Sequence, residues 1–124
     1  MASVALLLSC ATTREDLGHG YKVVREKTRS HSSFERYAYY DVLRYRHRSL
    51  GEIGEVSISP SGQYALFEQD GKLILFNSTA GSLTDVTDGP FTVPKRIEWK
   101  EPDGFVLITA AEGIEPRRIP LPTQ

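Results

Sequence analysis

Residues 55–77 read EVSISPSGQYALFEQDGKLILFN, and the fold of the chain turns on how this stretch divides. EVSIS, QYALFEQ and KLILFN are short runs rich in β-branched, aromatic and other apolar side chains, the kind that fit a pleated, half-buried surface. Between them stand PSG and DG, which punctuate strands. Asp70–Gly71 is the stronger signal. A two-residue type I′ turn needs positive φ at both central positions, and aspartate followed by glycine tolerates it. Downstream, STAGS and TDGP mark further turns, and RIEWK, FVLITA and RRIPL read as three more strands.

An internal echo extends this pattern. Moving 41 positions along the chain carries Val56 to Ile97, Ile58 to Trp99, Tyr64 to Phe105, Leu66 to Leu107 and Phe67 to Ile108. Every partner is apolar, and SPSG falls opposite KEPDG with one residue of slippage. A period of about 40–45 residues built from short antiparallel strands is that of a propeller blade. The words ISPSGQYALF and GKLILFN resemble TolB-type and WD40-like β-propeller blades, and the resemblance covers residues 54–121, two blades at most. A closed propeller takes at least about four blades. Three outcomes therefore stand: a small antiparallel sandwich or open barrel built from propeller-blade-like hairpins, two blades completed by a partner, or a ring of several copies. The first is the simplest, and an all-β fold of that kind is the expectation.

Upstream of this region, Tyr21 to Thr28 (YKVVREKT) is β-favourable but charged, like an exposed or edge strand. FERYAYYDVLRYRHRSLG admits two periods. On a two-residue period Tyr37, Tyr39, Leu43 and Tyr45 share a face; on a helical one Phe34, Tyr37, Ala38, Val42 and Tyr45 do, with Ser32 and Glu35 as a capping box. The density of tyrosine favours a strand. Arg44, Arg46 and Arg48 then alternate along it, with Tyr37, Tyr39 and Tyr45 opposite. Tyrosine and arginine are enriched in binding hot spots, which makes these six residues a candidate protein-binding surface. The plainer reading packs the tyrosines over a core and leaves the arginines solvated. A basic face could also lie against anionic lipid headgroups.

The chain opens MASVALLLSCATT, where the apolar run Val4 to Leu8 is too short to span a bilayer and stops at small residues and the single cysteine. Leu7, Leu8, Ser9 and Cys10 resemble the lipobox of bacterial lipoproteins. That resemblance implies a signal peptide over residues 1–9, removed on maturation, with acyl chains on the Cys10 thiol. Two or more chains hold a protein stably at a membrane. Residues 10–20 are then expected as a polar, lipid-anchored tether, and residues 21–124 as a single β domain. Ala11 stands where an acidic residue would favour inner-membrane retention, so the resemblance implies the outer membrane, facing the periplasm.

Composition narrows the function classes. The chain has 124 residues, 40% apolar and 25% charged, ordinary for a globular domain. A formal net charge of −1 argues against a nucleic-acid partner, which normally selects a basic excess. One cysteine excludes an internal disulfide and a multi-cysteine metal site. His19, His31 and His47 show no metal-ligand spacing, and His19 and His31 stand in polar, loop-like contexts. No serine sits in an activating frame such as GxSxG, and Ser59 and Ser61 flank Pro60 in a turn, where hydroxyls satisfy local backbone groups. Gly51–Gly54 lacks the continuation of a phosphate-binding loop. Asn77-Ser78-Thr79 is a formal glycosylation sequon that reads as a polar turn, and Trp99, opposite Ile58 in the echo, reads as core.

The expectation from sequence is a non-enzymatic, lipid-anchored protein of the bacterial cell envelope that binds another envelope protein, as an immunity protein, an inhibitor or an accessory assembly factor, with no catalytic or metal residues and no cofactor. The rival is an unanchored, self-associating propeller-like domain, a homo-oligomer. A small hydrolase with an unrecognised triad is a third class.

Overall fold

A computed structural model describes residues 11–29 and 37–122. These described residues are all-β, in three antiparallel sheets, and form no closed barrel. The chain divides in sequence into two compact units, one ending at Ile53 and the other beginning at Gly54.

The first unit is a meander of β1 (Ala11–Gly18), β2 (Tyr21–Arg29), β3 (Tyr37–Tyr45) and β4 (Arg48–Glu52), hydrogen-bonded in that order as sheet A. β2 is the strand expected from YKVVREKT, now central rather than at an edge. Tyr21, Val23, Val24, Val42, Leu43 and Leu50 are buried. Val23 faces Leu43 and Val24 faces Val42 across the β2–β3 ladder, so successive buried pairs lie on opposite faces of the sheet. The tyrosine-rich segment is thus a strand. Its two-residue alternation wins because β2 supplies a partner over its whole length, from Arg29↔Tyr37 to Tyr21↔Tyr45. The rival capping box at Ser32 and Glu35 falls outside the described residues.

Two features of sheet A depart from the expectations. Residues 11–18, expected within a tether, form β1 and pair with β2 from Ala11↔Glu26 to Gly18↔Tyr21. TTREDL has little apolar character of its own; its partner imposes the extended form. The three arginines also do not alternate along one strand. The chain reverses at Arg46–His47, so Arg44 lies one residue before the end of β3 and Arg48 begins β4.

The second unit holds sheet B, β5 (Val56–Ile58), β6 (Tyr64–Gln69), β7 (Lys72–Asn77) and β8 (Ser82–Asp85), and sheet C, ordered β11 (Arg117–Pro120), β10 (Phe105–Thr109), β9 (Arg96–Lys100). The turn at Asp70–Gly71 has φ of 52° and 72°, the type I′ signature its sequence promised. Tyr64, Leu66, Leu73 and Leu75 of sheet B pack with Val106, Ile108, Ile119 and Leu121 from sheet C, with Ile97 and Trp99 against them. This unit is therefore a two-sheet sandwich. Fully burying one such leucine contributes about 1.5–3 kcal/mol relative to leaving it exposed.

Polar links register the two sheets. Trp99 Nε1 donates to Ser57 Oγ at 2.9 Å. Glu101, in a short 3-10 turn at Glu101–Asp103, accepts from the Ser61 backbone N–H at 2.9 Å and from its hydroxyl. Ser59 Oγ accepts from the Tyr64 N–H at 3.1 Å. Both serines thus serve the SPSG turn, as their neighbourhood suggested. Asn77 is 1% exposed, and its Oδ1 accepts from the Thr79 N–H at 3.1 Å, so the sequon's side chain closes a turn from inside. Trp99 is core.

Candidate protein-binding surface

Sheet A brings two hairpin tips together. The first, Gly18–Tyr21, joins β1 to β2; the second, Tyr45–Arg48, joins β3 to β4. His19 and Gly20 have φ of 55° and 90°, as a type I′ turn demands, and Asp16 Oδ1 accepts from the Gly18 N–H at 2.9 Å. Arg46 also holds a left-handed φ of 56°, uncommon for a residue with a side chain. Its N–H donates to Gly20 O at 2.8 Å and ties one tip to the other. Gly20 is required there. A Cβ on it would stand 3.2 Å from Arg46 Cγ and 3.4 Å from Tyr45 Cε1.

Side chains converge on this junction. Tyr21 and Tyr45 are cross-strand partners with ring centroids 4.7 Å apart, and the Arg46 guanidinium lies 5.1 Å from the Tyr45 ring centre. Arg44 Nη2 donates to His47 O at 3.1 Å and braces the second turn. Tyr45 pairs in register with Arg48, and Lys22 stands directly opposite Arg44. Like charges at that spacing destabilise a ladder. Asp16 is Lys22's partner on β1. Between the tips lies an open depression of about 550 Å³, bounded by Asp16, His19, Tyr21, Lys22, Arg46 and His47.

The six residues expected as one surface divide between the two ends of β3. Arg44, Tyr45, Arg46 and Arg48 gather at the junction. Tyr39 pairs with Lys27 near the opposite end, 61% exposed, with the Arg25 guanidinium 5.8 Å from its ring centre. The Tyr37 backbone pairs with Arg29 still further along, and its side chain lies outside the described residues. Beside Tyr39, the Tyr40 hydroxyl donates to Glu26 Oε1 at 3.3 Å; desolvation of the ring, then the Glu26 carboxylate, holds its phenol above the ordinary value.

Sequence reading missed Lys22, His19 and His47 as members of the junction. GHG was a usable signal for a turn, but nothing in the order of residues placed it beside RH at 46–47. Cys10 and the lipobox lie outside the described residues, as does His31. Among the described residues no three of His, Cys, Asp and Glu gather as a metal site requires. No helix among them is long and apolar enough to cross a membrane. Comparison with protein-family models, curated proteins and solved structures finds no match.

Proposed function

We propose that the chain is a lipid-anchored module of the bacterial envelope that binds another protein through the paired hairpin tips of sheet A. The observation that carries the reading is the like-charged pair Lys22–Arg44 beside Arg46 and Arg48, held by the Arg46–Gly20 bond at 2.8 Å. Such a cluster is an asset against an acidic surface, where complementary charge speeds encounter and fixes register. Tyr45 adds an aromatic contact of the kind that dominates interface energetics.

The anchor and the tips fit one geometry. β1 starts at Ala11, one residue beyond the thiol that would carry lipid, and runs eight residues to Gly18. At ~3.3 Å per residue, the tips stand about 25 Å from the attachment point. Residues near the Ala11 end, Tyr39 and Tyr40 among them, then lie towards the headgroups, where tyrosine is favoured. The tips face the periplasm.

Two measurements test this. Mass spectrometry of protein made in a bacterial host, beside a Cys10→Ser variant, is expected to find an acylated N-terminus at Cys10 in the first alone; an unmodified chain starting at Met1 refutes the anchor. A photo-crosslinking residue at position 48 is expected to capture a specific envelope protein, and Arg44→Glu with Arg46→Glu to abolish the capture. Equal capture from position 83, on sheet B, would refute the surface.

A further inference from the structure

We propose that the depression between the two tips of sheet A is an oxyanion site, taking a carboxylate or phosphate group between Lys22, Arg46, His19 and His47. It rests on the reading above only for the identity of a macromolecular partner, not for the anion or for the lipid anchor.

The donors arrive from separate parts of the chain. His19 comes from the first turn, Lys22 from β2, and Arg46 and His47 from the second turn, and all bound the same open volume of about 550 Å³. That space admits a phosphate group or the head of a glutamate. Lysine offers a compact charge with three rotatable donors, and arginine a planar fork suited to paired oxygens. Asp16, the acid on this rim, directs Oδ1 to the Gly18 N–H at 2.9 Å and so serves its own turn.

One further observation favours a bound anion. Arg46 keeps a left-handed φ of 56° at a position where glycine would be relaxed. Conformations of that kind persist where the surroundings over-determine them, and they collect at binding sites. Here the Arg46 N–H to Gly20 O and the Arg44 brace on His47 O hold the turn that brings Arg46 and His47 to the rim of the depression.

The anion belongs either to an acidic side chain on a partner's loop or to a small free ion. Both present the same oxygens.

The test is an NMR titration of the full chain with sodium sulfate against sodium chloride at equal ionic strength. Sulfate-specific shifts are expected at residues 18–22 and 44–48. Lys22→Gln combined with Arg46→Gly is expected to weaken sulfate roughly tenfold or more, as losing two cations implies. Glycine at 46 suits the turn's φ, so the backbone stays in place. Identical shifts in chloride, or a variant that binds sulfate unchanged, overturn the proposal. Inorganic phosphate and a hexaglutamate peptide distinguish the source. A peptide that binds more tightly than phosphate and is displaced by it assigns the anion to an acidic segment; a peptide no tighter than phosphate assigns it to a free ion. A peptide that binds without displacement and without Lys22 or Arg46 refutes the oxyanion site and leaves the protein-binding reading intact. Sulfate binding without any crosslinked partner does the reverse.

Discussion

Removing the indole N–H of Trp99 tests whether the sandwich is registered as described. Trp99 Nε1 donates to Ser57 Oγ at 2.9 Å, and the bond runs from β9 in sheet C to β5 in sheet B. The indole also stacks on Tyr64, centroids 6.5 Å apart at 16°, and packs against the core. Trp99→Phe keeps an aromatic ring but deletes the donor. A neutral hydrogen bond contributes about 1 kcal/mol net. The smaller ring forfeits roughly 40 Å² of apolar burial, about half of it effective at a partly buried site, or ~0.5 kcal/mol. Trp99→Phe is thus expected to cost about 1.5 kcal/mol, and Ser57→Ala about 1 kcal/mol. Both substitutions remove the same bond, so the double variant should fall short of additivity by about 1 kcal/mol. Urea unfolding of the full chain, followed by far-ultraviolet circular dichroism because Trp99 is the single tryptophan, supplies the four free energies. A coupling below about 0.3 kcal/mol, the scatter of independent sites, would refute the link between the sheets.

Two further predictions use pH. Desolvation of the Tyr64 ring, with a smaller push from Glu101, holds its phenol above the ordinary value, and its hydroxyl donates to Pro122 O. A raised folded value means that the stabilisation is fully present below the unfolded tyrosine value of about 10 and is lost as the pH rises through the folded one. Tyr64→Phe should therefore cost about 1 kcal/mol at neutral pH and converge on the parent in alkali, read as unfolding midpoints. Asp85 shows the opposite sign. Hydrogen bonds from the Thr87 hydroxyl and from the Thr87 backbone N–H, the latter 2.9 Å, hold its carboxyl below the ordinary value. Its contribution is present above the unfolded carboxylate value and is lost as the pH falls through the folded one. Asp85→Ala should lower the unfolding midpoint at neutral pH, and the gap should close in acid; a gap independent of pH would refute the assignment.

What was legible in the sequence was legible for local reasons. Asp70–Gly71 announces its own turn, because the φ values it needs exclude most other residues. QYALFEQ and KLILFN announce strands because both of their faces are apolar, and the fold buries Ala65, Phe67 and Phe76 as well as Leu66 and Leu75. The reversal at Arg46–His47 carries no such mark. Neither residue favours a turn, and the conformation is held by a local brace from Arg44 and by a bond to Gly20, a contact between segments far apart along the chain. β1 and β8 were illegible for a related reason: TTREDL and SLTD lack apolar alternation, and each extends because a neighbour offers a ladder. The candidate site suffered most. Its arginines and Tyr45 stood out, but their union with His19 and Lys22 is a product of sheet A's register.

The echo carries more than a count of strands. At an offset of 41, Tyr64 and Leu66 correspond to Phe105 and Leu107, yet the first pair packs between the sheets while the second lies half-buried on the outer face of sheet C. The residues of sheet C that enter the shared core are Val106 and Ile108, one position out of phase. Because side chains alternate faces at every residue, that one-step offset means sheet B meets sheet C with the opposite face from the one sheet C repeats. The two sheets are therefore stacked in the same sense, not as mirror images. Phe105, with the Arg118 guanidinium 3.8 Å from its ring centre, and Leu107 occupy the outer face. A mirror-image pair would have buried Phe105 and Leu107 in the shared core and left Val106 and Ile108 outside. The alternation along five residues of β10 decides between the two arrangements, and with Val106 and Ile108 inside it selects the same-sense one.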